Sequence, residues 1–168
     1  MSDRPNILFI VTDQQFAGAM SCTGNTDLHT PAMDSLAETG VRFERAYCPQ
    51  PLCAPCRASF MTGFMPHQTG VISNGGEMRE DLKTRGMGNL LRAGGYECAY
   101  AGKWHVPSVT MEGFGYQVLL SGNDDAGVPL RCLEFLKERP EEPFFLVASF
   151  INPHDICQVA RNQPLPQG

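Results

Sequence analysis

Charge is scarce in this chain: 18% of its 168 residues are Asp, Glu, Lys or Arg, against roughly 25% in an average soluble domain. No two Lys or Arg are adjacent, and 13 basic against 18 acidic side chains leave a net charge of −5. The basic stripe that a phosphate backbone requires is missing, so nothing here suits a nucleic-acid partner. Long apolar runs are missing too. The longest, Phe144 to Phe150, falls far short of the roughly 20 residues of a membrane helix, which excludes a membrane span. The N-terminus, Met1-Ser2-Asp3-Arg4-Pro5-Asn6, lacks the basic-then-apolar build of an export signal, and Ile7 to Val11 is too short for its apolar segment. Seven cysteines at irregular spacing, with no such signal, imply reduced thiols and a cytoplasmic location; a periplasmic one requires an export signal that has been removed. Repeats and low-complexity linkers are absent as well. What the chain does have is 17 glycines and 13 prolines within a 42% hydrophobic composition. That combination predicts a loop-rich globular domain with a substantial core.

Asn6 to Asp13 is a continuous β-rich apolar run ending in polar residues, as expected of a strand buried on both faces of a parallel sheet. Thr30 to Glu38 predicts a helix with Thr30 as N-cap, Pro31 at the first helical position and Gly40 closing it. Val41 to Tyr47 predicts a second strand, and Arg57 to Gly63 a short helix stopped by glycine. Residues 64–82 and 107–125 lack periodicity and predict loops. A helix at Met87 to Ala93, a strand at Tyr96 to Ala101, a helix from about Pro129 to Glu138 and a strand at Phe144 to Phe150 complete the pattern, joined at the end through Pro140 and Pro143. Strands alternating with helices at this spacing imply an α/β fold with a largely parallel sheet flanked by helices.

Ligands of such sheets gather beyond the carboxyl ends of the strands. Three of the proposed strands end in chemistry-bearing residues: Asp13-Gln14-Gln15, Gly102-Lys103-Trp104-His105 and Asn152-Pro153-His154-Asp155. A fourth cluster, Cys53-Ala54-Pro55-Cys56-Arg57, opens a helix, and a parallel sheet brings all four to one rim. Taken alone, the Cys53/Cys56 pair has three readings: a dithiol redox pair, half of a zinc site without a second pair, or two buried thiols. Taken singly, Asp13 is equally a turn or helix cap, Arg57 a solvated charge, Lys103 and His105 a surface turn around the only Trp, and His154 a local hydrogen-bonding group. His29 and His67 are read as structural.

The order of the clusters carries more than any one of them. Cys53-Ala54-Pro55-Cys56-Arg57, followed by a short helix and Thr62-Gly63, resembles the Cys-x-Pro-x-Arg signature of the type I sulfatases. Pro5 to Asp13 resembles that family's first strand and metal-binding turn. His29-Thr30-Pro31, Gly40-Val41-Arg42-Phe43 and Ala46-Tyr47 resemble its run into the signature, Gly102-Lys103-Trp104-His105 its second signature, and Asn152-Pro153-His154 its downstream histidine. The resemblance implies an alkaline-phosphatase-like fold and hydrolysis of a sulfate ester of a sugar or other small molecule. It implies that Cys53 is converted to formylglycine, whose hydrate offers one hydroxyl to attack sulfur and another to expel sulfate. It further implies Ca2+, with Mg2+ or Mn2+ as alternatives, held by Asp13, Gln14 and the modified Cys53. Arg57 and Lys103 would hold hydrate and sulfate, His105 would take a proton from the second hydroxyl, and His154 would protonate the leaving oxygen.

Three features depart from the family pattern. Asp13-Gln14 stands where two adjacent Asp are common, which brings phosphonate or phosphodiester hydrolysis in as the alternative within the same superfamily. Cys56 stands where a small residue is usual, and a Cys53–Cys56 disulfide would block the modification. The family's second metal pair has no counterpart after Asp155; the one Asp-Asp pair, Asp124-Asp125, comes too early and lacks its context. Residues 1–168 are therefore expected to be the N-terminal portion of a sulfatase catalytic domain, with half a site. The isolated chain is expected to be inactive and prone to self-association through uncovered surface.

Overall fold

The computed structural model describes residues 4–138 and 143–164. Four strands, β1 (Ile7–Asp13), β2 (Glu97–Gly102), β3 (Gln117–Ser121) and β4 (Phe144–Pro153), form one sheet in the order β1-β4-β2-β3, and every neighbouring pair is parallel. The helices are α1 (Pro31–Thr39), α2 (Cys53–Thr62), α3 (Pro66–Thr69), α4 (Met87–Ala93), α5 (Gly127–Glu138) and α6 (Ile156–Ala160). The α/β class with a largely parallel sheet is thus as expected. Among the described residues no helix is long and apolar enough to cross a membrane.

The two central strands are apolar on both faces, and each face builds its own core. Tyr100, Phe145 and Val147 join Ala54, Ala58 and Met61 of α2, and Phe114 and Tyr116 from the chain before β3. On the opposite face Ala99, Ala101, Leu146 and Ala148 meet Val128, Cys132 and Phe135 of α5. The alanines let α5 lie close to the sheet. β1 is covered on one face only. Ile7 and Phe9 pack into the first core, while Leu8 and Ile10, in register with Leu146 and Ala148, are about half exposed.

Local expectations fared unevenly. Val41 to Tyr47 forms no strand; Val41, Phe43 and Tyr47 are among the most exposed apolar residues of the chain. β-branched and aromatic residues favour strands only where a ladder partner exists, and among the described residues this segment has none. Conversely, the expected loop 107–125 contains β3, whose apolar Val118-Leu119-Leu120 was too short a run to announce itself. The 64–82 loop carries α3 and a single 3₁₀ turn at Glu80–Leu82. Helix α2 begins four residues earlier than expected, at Cys53; Pro55 is tolerated because it lies in the first turn, where backbone N–H groups lack intrahelical partners. Thr30 does not cap α1 with its side chain; its hydroxyl lies within bonding distance of Ser21 and Asp34 instead. The expected link through Pro140 lies outside the described residues.

Candidate active site

Because β1, β2 and β4 are parallel, their carboxyl ends share one rim, and Asp13, Lys103 and His154 follow from it directly. The N-terminus of α2 reaches the same rim. Cys53 is its first residue, and the Ala54 N–H, one of the helix's free donors, is taken by Asn74 Oδ1 at 3.1 Å. The thiol of Cys53 therefore stands at the positive end of a ten-residue helix.

Beneath Cys53 lies a buried charge cluster. Asp13 is 8% exposed, Arg57 3% and Lys103 7%. Asp13 Oδ2 accepts from Arg57 Nη2 at 3.0 Å and pairs with Lys103 Nζ at 2.8 Å. Its other oxygen, Oδ1, is 3.8 Å from Cys53 Sγ, and Lys103 Nζ is 4.0 Å from the same sulfur. Burial alone pushes the Asp13 carboxyl up, but hydrogen bonds and charge from Lys103 and Arg57 outweigh it and hold the group below the usual carboxylate range. Two cations against one carboxylate leave an excess positive charge next to residue 53, the electrostatic setting for a bound anion.

The turn carrying Lys103 is locked from below. Its carbonyl accepts from Arg57 Nη1 at 2.8 Å, Tyr100 O–H at 2.7 Å and Ser149 O–H at 2.7 Å, and Ser149 Oγ in turn accepts from Arg57 Nη1 at 2.9 Å. Gly102 permits the turn. Its φ is +101°, and a Cβ there would run into the Ser149 carbonyl oxygen. Trp104 points back into the aromatic core, edge-on to Tyr100 and Phe114, with its indole N–H on the Val109 carbonyl at 2.7 Å. Lys103 reaches the charge cluster, while His105 is exposed beside the site.

Cys53, Lys103, His105 and His154 share an open cleft of about 570 Å³, with Trp104, Asn74, Asn123 and Gln158 also in its walls. Although His105 is largely solvent-exposed, desolvation of its ring, followed by the Lys103 and Arg57 cations, pushes the imidazole below its ordinary pKa and so disfavours its charged form. His154 is half-buried and its Nδ1 has no hydrogen-bond partner among the described residues. Asp13, Cys53 and His154 each offer a ligand atom within 4.8 Å of the others, so this corner is where a metal ion would sit.

Two expected members stand apart. Gln14 is exposed, with a left-handed φ of 63°, and its amide lies 3.2–3.3 Å from Cys157 Sγ on α6. Arg57 lies under the cleft rather than in its wall, its guanidinium engaged by Asp13, Lys103 and Ser149. Cys53 and Cys56 are both free thiols. Burial, then the neighbouring Cys48, pushes Cys56 up to about 11, which makes it a poor thiolate partner for the dithiol reading. The sequence reading missed Tyr100, Ser149 and Asn74. Ser149 had a signal: a hydroxyl within the apolar run of β4 must find a partner when buried. Asn74, in an irregular loop, had none.

The sequence and the fold have counterparts among known proteins. The Sulfatase family model matches residues 5–166. An N-acetylglucosamine-6-O-sulfatase of Bacteroides thetaiotaomicron is 39% identical over 124 residues, covering 74% of this chain and 22% of that protein. A Delta 4,5-hexuronate-2-O-sulfatase of the same organism is 34% identical over 173 residues, covering 92% of this chain and 35% of that protein. A protein solved in complex with its substrate, D-glucosamine-2-N,6-O-disulfate, superposes with a TM-score of 0.79 at 27% identity, over 99% of this chain and 39% of the other. The chain thus spans roughly a fifth to two fifths of the relatives it matches. With the family model covering nearly its whole length and the strand-end residues gathered at one rim, the chain belongs to the sulfatase family.

Proposed function

We propose that this rim is the nucleophile side of a sulfate-ester hydrolase centre acting on a sulfated saccharide. The observation that carries the reading is the buried Asp13–Lys103–Arg57 cluster, with its excess positive charge against residue 53 in a cleft that also holds two histidines. Formylglycine at position 53, as a hydrate, would supply the attacking hydroxyl. Lys103 attracts the sulfate and stabilises charge on its oxygens; Arg57 holds Asp13 and the Lys103 turn in place. His105, neutral, accepts a proton from the residue-53 hydrate, and His154 gives one to the leaving oxygen as the ester bond to sulfur breaks. The saccharide part is supported by the activities for which the two relatives are named and by the sugar bound to the structural neighbour. Neutral polar groups in the cleft wall, Asn74, Asn123 and Gln158, suit sugar hydroxyls.

The donor set supports a hard cation once residue 53 is oxidised. As a thiol, Cys53 with His154 forms a soft, mixed set with Asp13. An oxygen at position 53 would instead join the Asp13 carboxylate among the six to eight oxygens that Ca2+ takes, and the neutral Gln14 carbonyl would add to them only by leaving Cys157. A bound Ca2+ would lower the hydroxyl pKa and clamp the sulfate. In the full-length protein, kcat/KM on 4-nitrophenyl sulfate is expected to exceed that on a phenylphosphonate monoester by at least about tenfold, a difference of about 1.4 kcal/mol in transition-state stabilisation. The reverse preference would move the activity to the phosphonate branch.

Isolated residues 1–168 are proposed to self-associate through the open β1 edge with half-exposed Leu8 and Ile10, and through exposed Val41, Phe43 and Tyr47. Light scattering should then give a concentration-dependent mass above that of the monomer. A monodisperse monomer with cooperative unfolding would contradict it.

A further inference from the structure

We infer that Asp125 is a positioning residue for His154, an inference that rests on reading His154 as the proton donor to the leaving oxygen. Asp125 lies between β3 and α5. Its Oδ1 accepts the Ile151 N–H at 2.7 Å; its Oδ2 accepts the Asn152 N–H at 2.8 Å and the Asn152 side-chain amide at 2.9 Å. Three short bonds to one carboxylate make a strong, directional clamp. They close on the segment where β4 leaves the sheet, immediately before His154.

The clamp reaches His154 through one peptide. The His154 N–H donates to the Ile151 carbonyl at 3.0 Å, so the turn that aims the imidazole is built on the residue whose own N–H Asp125 holds. Ile151 is 5% exposed and lines the cleft with His154, which makes it a firm base for that turn. Asn123, two residues before Asp125, lines the same cleft. Asp125 thus ties the β3–α5 wall to the proton donor. The adjacent carboxylate does something else: Asp124 Oδ1 accepts the Gly127 N–H at 2.9 Å at the start of α5 and takes no part in the clamp. The Asp-Asp pair divides into one residue for the helix and one for the site.

A donor that protonates the leaving oxygen matters most when the leaving group is basic, so its displacement changes the dependence on leaving group, whereas a general loss of stability lowers all rates alike. The test uses the full-length enzyme with 4-nitrophenyl sulfate and unsubstituted phenyl sulfate. His154→Ala is expected to lose about 100-fold in kcat/KM on phenyl sulfate and far less on the nitrophenyl ester. Asp125→Ala is expected to follow the same pattern, with a loss about tenfold larger on phenyl sulfate than on the nitrophenyl ester. Asp125→Asn, which keeps one acceptor oxygen, should fall between it and wild type and carries the test if the alanine variant does not fold. Asp124→Ala should lower both rates equally. Equal losses in the Asp125 variants alongside a leaving-group effect in His154→Ala would overturn the inference and leave the His154 reading standing. Equal losses in His154→Ala would overturn both.

Discussion

Full-length protein carrying Cys53→Ala is expected to lose at least about 10⁴-fold in kcat/KM on an aryl sulfate while keeping its fold, a loss on the scale seen when a covalent nucleophile is removed. The retention of fold follows from the surroundings of the thiol. Cys53 is only half-buried, and its sulfur makes long contacts, 3.8 Å to Asp13 and 4.0 Å to Lys103, that contribute little to stability. The helix that presents it is held by Ala54, Ala58 and Met61 in the core, none of which the substitution touches. A rate near wild type in this variant would remove residue 53 from the chemistry. A collapse of thermal stability would show instead that the thiol is a structural group.

Asp13→Ala should have the opposite profile, a large stability change in addition to any loss of activity. It strands Arg57 and Lys103, both more than nine-tenths buried, without their shared counter-charge. Breaking a buried pair by removing one partner costs about 3–5 kcal/mol, and a fall in Tm of about 10 °C is expected for a domain of this size. The pH dependence has a definite sign. The folded Asp13 carboxyl is held below its ordinary value of 3.8, so its contribution is complete above that value and is lost as pH falls through the lowered folded one. The stability gap between wild type and Asp13→Ala should therefore be constant from neutral pH down to about pH 5 and should narrow only in strong acid. A gap that closes at mild pH, or a Tm within about 2 °C of wild type, would mean the two cations find other partners.

The parts of this molecule legible in its sequence are those fixed by local pattern. Phe144 to Phe150 is apolar on both faces because β4 lies inside the parallel sheet. Asn6 to Asp13 has the same composition, but β1 is an edge strand covered on one face, not on both as expected, and the polar ends of the two parallel strands fall on one rim. That placed Asp13, Lys103 and His154 together before any coordinate was known. What stayed hidden depends on contacts across the chain. Nothing local distinguishes Val41 to Tyr47, which has strand composition and no ladder, from Gln117 to Ser121, which has the ladder of β2 beside it. Arg57 was legible as a residue but not in its duty. Only the fold shows that its guanidinium is consumed by Asp13, Ser149 and the Lys103 carbonyl, 44 to 92 residues away. Asp125 is not legible as a site residue, because two of its partners are backbone N–H groups, which no residue pattern announces.

The central claim is that residue 53 acts as a formylglycine derived from cysteine. Mass spectrometry of the peptide spanning Cys53 to Arg57, taken from a preparation that hydrolyses aryl sulfate, tests it most directly. The expected result is the aldehyde or its hydrate in place of the Cys53 thiol, with Cys56 unmodified. An active preparation in which Cys53 is wholly an unmodified thiol, or is joined to Cys56 as a disulfide, would contradict it.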